Sequence, residues 1–180
     1  MASKKNISDD FSPAATDYPS DPANIQAEYG RSRADERVHF VTSAIVRLPA
    51  RFTVAPIVEY GSGQPWNARL GYDYNGDGRT GDRAAGVPKF SQDGPNFANV
   101  NLRVTYRVPF GGTRGMDVIA EMFNLFNRVN YDVNSTITGQ YLSGPTLANP
   151  ALPFVTNTRY GQYTATLPPF EAQIGFRIGF

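Results

Sequence analysis

The chain of 180 residues has no cysteine, one histidine and one tryptophan. Without cysteine there are no disulfides, no thiol nucleophile and no thiolate-held zinc or iron–sulfur site. A lone imidazole, His39, leaves no histidine pair for a transition metal. On the polar side of a strand it reads as a hydrogen-bonding group rather than a catalytic base. Charge of one sign is also missing: Lys+Arg number 17 against Asp+Glu 16, so no basic surplus points to nucleic acid. No run of about 18 apolar residues exists, which excludes a helix that spans a membrane. The basic start, Met1 to Lys5, is followed by a polar stretch over 6–36 and not by the apolar segment of an export signal. Helical periodicity is confined to a short stretch around Ile25 to Tyr29. Gly111-Gly112-x-x-Gly115 joins two strand-like segments and opens no helix, so it is not a phosphate cradle.

What the chain does have is 13% aromatic residues, 17 glycines and 14 prolines, a mixture of strand and turn formers. Period-two alternation marks five strands, at about 38–48, 52–60, 98–110, 116–126 and 170–180. In 98–110, Ala98, Val100, Leu102, Val104, Tyr106, Val108 and Phe110 share one face, and Asn99, Asn101, Arg103, Thr105 and Arg107 share the other. In 170–180, Phe170, Ala172, Ile174, Phe176, Ile178 and Phe180 alternate with Glu171, Gln173, Gly175, Arg177 and Gly179. The apolar faces of these two strands carry no charge. Segment 116–126 is the least regular, with Ile119 and Phe123 beside Asp117 and Glu121 on the polar side.

Connection lengths alternate as well. Pro49-Ala50 and the glycine-rich 111–115 make two tight hairpins, whereas 1–37, 61–97 and 127–169 are long. Long irregular loops are uncommon in compact soluble domains. Short turns at one end and long loops at the other are the pattern of a bacterial outer-membrane β-barrel, whose strands face lipid and lumen alternately. On that reading the fold is all-β, with antiparallel up-and-down strands of a transmembrane barrel. Arg103, Arg107, Arg177, Asp117, Glu121 and Glu171 face the lumen and neutralise one another there. Phe110 and Phe180 lie at the periplasmic girdle, and Tyr60 and Trp66 lie near the outer one. An odd set of five strands cannot close, and an unpaired edge is costly in lipid. The expectation is therefore a section of a larger barrel, spanning 1–180.

Two loops carry candidate sites. Asp73-x-Asn75-x-Asp77-Gly78, followed by Asp82, spaces oxygen ligands around a glycine turn as calcium requires. The position of the closing Glu holds Ala84, and an Asn/Asp-rich turn is the plainer alternative. Trp66, Tyr141, Tyr160 and Tyr163 are suited to stacking on a flat or sugar-like ligand, the alternative being rings that pack the loop on itself. No pairing of carboxylates compels an enzymatic reading.

Several motifs, taken in order, resemble one family. They are Arg37-Val38-His39-Phe40-Val41, Gly63-Gln64-Pro65-Trp66-Asn67, the 73–83 loop, Asn101-Leu102-Arg103, the block Glu121-Met122-Phe123-Asn124-Leu125-Phe126-Asn127-Arg128-Val129-Asn130-Tyr131, and a Phe-terminated last strand. Over about 3–180 the chain resembles the C-terminal barrel region of Oar-like TonB-dependent outer-membrane receptors. The resemblance implies a 22-stranded type of barrel, a plug domain and uptake of a scarce ligand, with the plug absent from this chain. It also implies a periplasmic energy-coupling protein, outer-membrane lipid, and a barrel-assembly machinery that reads the terminal strand at Phe176, Ile178 and Phe180. The competing reading is a soluble extracellular β-sandwich that binds carbohydrate, with calcium in the 73–82 loop.

Overall fold

The structure, a computed structural model, describes residues 5–6, 19–112, 114–132 and 139–179. It is all-β with antiparallel strands and almost no helix. Two compact units interleave along the chain. One comprises 38–61, 96–130 and 166–180, and the other 1–37, 62–95 and 131–165.

The first unit is a six-stranded antiparallel sheet. Its strands are β1 (His39–Ser43), β2 (Val46–Arg47), β3 (Phe52–Gly61), β4 (Phe97–Gly111), β5 (Arg114–Phe123) and β6 (Glu171–Gly179). The order across the sheet is β6-β5-β4-β3-β1, with β2 also on β3, so neighbours in sequence are neighbours in space. Among the described residues β1 and β6 do not pair with each other. The sheet is an open meander and not a closed barrel.

Register settles which side chains share a face. Val54, Val104, Ala120 and Ile174 lie in one row across four strands, and Phe52, Tyr106, Val118 and Phe176 in the next. Phe40 lies opposite Tyr60, and Val46 opposite Val54, on the same side. Arg107, Asp117 and Arg177 form a row on the other side, as do Arg103, Glu121 and Gln173. The two faces therefore differ in charge, the apolar one carrying among the described residues only Arg114, at the short-turn end of β5. The apolar one is not covered: Ile174 is 72% exposed, Phe176 66% and Phe40 52%.

Three departures from simple alternation have local causes. The predicted strand 38–48 is two strands, interrupted at Ala44 and Ile45. These residues lie opposite Pro56 and Ala55, because Ser43 pairs with Ile57 and Val46 with Val54. The Ala44 N–H still donates to Pro56 O at 3.2 Å, but proline has no N–H to return the bond. The predicted strand 116–126 stops at Phe123, because Asn124 turns into the left-handed region (φ 47°). The hairpin between β4 and β5 is shorter than 111–115, since Gly111 already pairs with Arg114, and the register shifts between Pro109 and Gly111. The other tight turn has its positive φ at Ala50 and Arg51, closed by Leu48 N–H on Phe52 O.

The Phe-Asn-Leu-Phe-Asn block is an amide clamp at the long-loop end of this sheet. The Asn124 backbone N–H donates to Asn101 Oδ1 at 3.1 Å, and Leu125 N–H to Val100 O at 2.8 Å. Asn124 Nδ2 donates to Arg128 O and Pro168 O, and its Oδ1 accepts from Arg128 N–H. Asn127 Oδ1 accepts from Phe170 N–H, just ahead of β6. Asn130 exchanges both bonds with Ala98 at 3.1 and 2.9 Å. Asparagine suits such sites because its amide imitates a peptide group and it tolerates the left-handed region.

The second unit has little regular structure. Among the described residues it holds one 3-10 turn, Ile25–Glu28, where the short helical stretch was expected, and two-residue ladders such as Pro65–Trp66 with Gln92–Asp93. Its large buried apolar side chains among these residues are Trp66 and Phe90. Buried ion pairs supplement them. Arg83 grips Glu28 with two bonds of 3.0 and 2.7 Å, and Arg31 holds the fully buried Asp35 at 3.0 Å.

The clamp makes a quantitative expectation. Asn124→Ala removes three buried side-chain hydrogen bonds and places a poorly suited residue at φ 47°. It should lower stability by roughly 2–4 kcal/mol in urea unfolding of the detergent-folded chain. Asn124→Gly should recover about 1 kcal/mol of that loss, because only the backbone part is relieved.

Candidate functional site

In the loop unit the predicted aromatic residues come together. The backbone arranges this first. Arg69 N–H donates to Gly139 O and Tyr141 N–H to Arg69 O, both at 2.8 Å. Asn157 N–H then donates to Tyr141 O, and Tyr160 N–H to Asn157 O. Gly139 permits the approach, since a Cβ there would lie 2.5 Å from Asn67 O. The result places Trp66 edge-on to Tyr160 at 5.6 Å, and Tyr141 edge-on to Tyr160 at 5.4 Å. Tyr163 stacks at 4.8 Å on Tyr131, and burial pushes its phenol pKa up. Trp66 Nε1–H lies near the Tyr163 hydroxyl, but no acceptor meets it in hydrogen-bonding geometry among the described residues. Trp66 is buried and Tyr141 is exposed, so the cluster presents Tyr141 outward from a fixed indole.

The predicted calcium residues form a self-satisfied turn. Asp73 Oδ1 accepts from Gly76 and Asp77 N–H, and Asp73 Oδ2 from Gly78 N–H. Asn75 Oδ1 accepts from Asp77 N–H, and Asp77 Oδ1 from Arg79 N–H. Asp82 is buried, and its Oδ2 accepts from Tyr74 N–H at 2.6 Å and Asn75 N–H at 3.2 Å. Among the described residues no three acidic, His or Cys side chains are grouped to hold a metal. Asp73, Asn75, Asp77 and Asp82 thus act here as acceptors for the turn backbone.

The sheet's polar face gathers the charges expected of it. Asp117 bridges β4 and β6, with Arg107 Nη1 at 3.0 Å and Arg177 Nη2 at 2.6 Å. Gly115 makes room for this: a Cβ there would meet the Arg107 guanidinium at 2.8 Å. Arg103 Nε reaches Glu121 at 3.0 Å, and Gln173 reaches the other Glu121 oxygen from β6. His39 lies 3.9 Å from Glu59. Glu171, expected to join such pairs, makes no ion pair with an arginine among the described residues. Of the terminal-strand residues, Phe176 and Ile178 are exposed on the apolar face, and Phe180 lies outside the described residues. Phe110 is likewise exposed, at the far end of β4.

Several site features escaped sequence reasoning. The Glu28–Arg83 pair joins residues 55 positions apart, beyond any local pattern. Phe90 is buried at a positive φ of 50°, with its N–H on Asn67 Oδ1 at 2.6 Å. The amides at Asn101, Asn124 and Asn130 did leave a signal. An Asn on the polar side of a strand, facing an Asn-rich block, marks side chains that hydrogen-bond instead of merely meeting solvent.

No family model, curated protein or solved structure matches the chain.

Two expectations follow. Tyr160→Ala removes both edge contacts and should cost roughly 2–3 kcal/mol. Trp66 emission should shift to the red with the far-ultraviolet dichroism unchanged, while Tyr160→Phe should leave emission unaltered. Burial raises the Asp82 pKa above its ordinary value of 3.8, and the Tyr74 and Asn75 N–H groups oppose the shift only in part. A folded-state pKa above the unfolded one favours the protonated carboxyl. Its stabilising contribution is present below the unfolded value and is lost as pH rises through the folded value. Relative to Asp82→Asn, the unmodified chain should therefore gain thermal stability on acidification from neutrality toward pH 3.8. A stability relative to Asp82→Asn that falls or stays constant on acidification would contradict this assignment.

Proposed function

We propose that the sheet is a section of wall of a bacterial outer-membrane receptor barrel, with the apolar face toward lipid and the charged face toward an aqueous lumen. The observation that carries this reading is the apolar face. From Phe40 and Val46 through β3, β4 and β5 to Ile178 its only charge among the described residues is Arg114 at the short-turn end, and it is open to solvent at Phe40, Ile174 and Phe176 and half-buried along the central strands. A face five strand positions wide and nine residues long has an area on the order of 700 Å², at about 4.8 Å per strand and 3.4 Å per residue. Monomeric soluble proteins rarely expose contiguous apolar patches beyond a few hundred Å². Nine residues rise about 30 Å and, tilted by about 45°, cover about 22 Å, close to the roughly 25 Å apolar band of an outer-membrane barrel.

The open edges support the rest of the proposal. Backbone groups on the free sides of β1 and β6 need partners in lipid, so further strands would complete the wall. The resemblance to Oar-like TonB-dependent receptors supplies a coherent identity for them: the remaining barrel and its plug. Energy for uptake would come through a periplasmic coupling protein, and insertion would depend on the barrel-assembly machinery. In this reading the chain has no catalytic step, and the aromatic cluster of Trp66, Tyr141, Tyr160 and Tyr163 belongs to extracellular loops that meet the ligand. A soluble carbohydrate-binding sandwich fits less well, because a sandwich needs a second sheet on its apolar face. Among the described residues the other sheets are ladders of two-residue strands.

Adjacent residues in the middle of β4 provide the test. In bilayer-folded chain, Val104→Lys should cost about 2–4 kcal/mol, the penalty for a lysine on the lipid face near the midplane. Thr105→Lys, on the polar face, should cost less than about 1 kcal/mol in the same urea titration. Equal costs would overturn the proposal.

A further inference from the structure

Charge is segregated along the strands of the sheet unit. The unit has no lysine, and five of its arginines, Arg47, Arg51, Arg107, Arg114 and Arg177, lie toward the short-turn end. Of its side-chain carboxylates, Glu59, Glu121 and Glu171 lie toward the long loops. The remaining one, Asp117, serves two of the arginines at once, with Arg107 at 3.0 Å and Arg177 at 2.6 Å. Arg47, Arg51 and Arg114 are exposed, and their side chains meet no carboxylate among the described residues. These three line the rim from both sides of the sheet. Arg47 lies opposite Thr53 on the polar face, Arg51 is in the turn ahead of β3, and Arg114 is on the apolar face in line with Met116 and Val118. At the same end the rings of Phe52 and Tyr106 meet at 4.8 Å on the apolar face, and Phe110 is exposed.

We infer that this rim docks on the anionic phospholipid headgroups of one bilayer leaflet, with Arg51 and Arg114 bonding phosphate. The inference rests on the reading of the apolar face as the lipid face. A charge on such a face is costly at mid-depth and cheap at the boundary. Arg114 is the first residue of β5, so its stem can lie along the apolar face while the guanidinium reaches the headgroups. Phe52 and Tyr106 beside it match the aromatic girdle of that boundary. Arginine, unlike lysine, presents a planar fork that bonds two phosphate oxygens together. A zwitterionic headgroup carries its own ammonium beside the phosphate, whereas an anionic one leaves the phosphate charge uncompensated. A rim with five arginines against one carboxylate therefore favours the anionic lipid. Each basic side chain near such a surface raises affinity by about fivefold. Glu59, Glu121 and Glu171 give the opposite end no such excess, so the same contact orients the sheet across the bilayer.

The test measures partitioning of the full chain into vesicles of phosphatidylcholine alone and of phosphatidylcholine mixed with phosphatidylglycerol. The mixed vesicles should bind it more tightly. Salt at about 1 M, where the Debye length is about 3 Å, should erase that preference and leave binding to phosphatidylcholine in place. Arg114→Gln and Arg51→Gln should each lower the preference by about fivefold. Arg128→Gln, which removes the same charge at the long-loop end, should change it by less than about twofold. Should one rim variant fail to fold, the other carries the comparison with Arg128→Gln. Equal binding to both kinds of vesicle would overturn the inference and leave the lipid face standing. A loss as large in Arg128→Gln would overturn it in favour of attraction by net charge alone. Binding to the mixed vesicles only, abolished by salt, would uphold the rim and overturn the barrel-wall reading. Binding to neither would overturn both.

Discussion

Everything in the sheet depends on one constraint: its apolar side chains share a face, and among the described residues no second large sheet packs on that face. Ordinary globular sheets bury such a face against a second layer, and the stability of the domain comes from that burial. Here Ile174 and Phe176 of β6 are the most exposed large apolar residues of the strands, and the buried apolar core of the described residues, Trp66 and Phe90, lies in the loop unit. In the proposed barrel wall, lipid is the apolar medium that covers such a surface. Period-two register then compels the charges onto the opposite face, where Arg107, Asp117 and Arg177 cross three strands. Ion pairs in water contribute little stability individually, but a one-residue slip would carry them to the apolar face, so they enforce register.

The two units solve different problems. In the sheet, hydrogen bonds between strands set the arrangement, and among the described residues no second large sheet lies on the apolar face. In the loop unit, polar groups substitute for a large core: the buried Glu28–Arg83 and Arg31–Asp35 pairs, the self-satisfied 73–82 turn and a compact group of aromatic rings. A buried ion pair is a weak source of stability and a strong source of specificity, because only one geometry satisfies both partners. That suits a long loop which must hold one shape without many apolar residues. Tyr141 illustrates the outcome: it is exposed, yet its ring is edge-on to a tyrosine that itself contacts a buried indole.

Much of the sheet was legible in the sequence, because alternation is a local signal and five segments carry it clearly. The face assignments of Ala98 to Phe110 and of Ala172 to Ile178 follow from parity alone. The break at Ala44 and Ile45 was not legible in that segment, since its cause, Pro56, sits on the neighbouring strand. The early end of β5 has its reason at Asn124, where side-chain bonds to a distant segment hold a left-handed turn. In the loops, residue type foretold the Trp66–Tyr160–Tyr141 group and the Asx-rich turn. It could not show that the carboxylates of Asp73 and Asp82 accept from backbone N–H groups. Nor could it reveal the Glu28–Arg83 pair or the unpaired Asn99 oxygen, which exist only once remote segments meet.

The central claim, that the two faces of the sheet meet different media, can be measured directly because the chain has no cysteine of its own. Single cysteines introduced one at a time from residue 98 to 108, spin-labelled and reconstituted in lipid vesicles, report contact with molecular oxygen, which partitions into lipid, and with a polar nickel chelate. The account predicts a strict two-residue period: oxygen contact maximal at even positions and chelate contact maximal at odd ones. Equal chelate contact at both sets of positions, or a chain that leaves the vesicles as a soluble monomer, would contradict it.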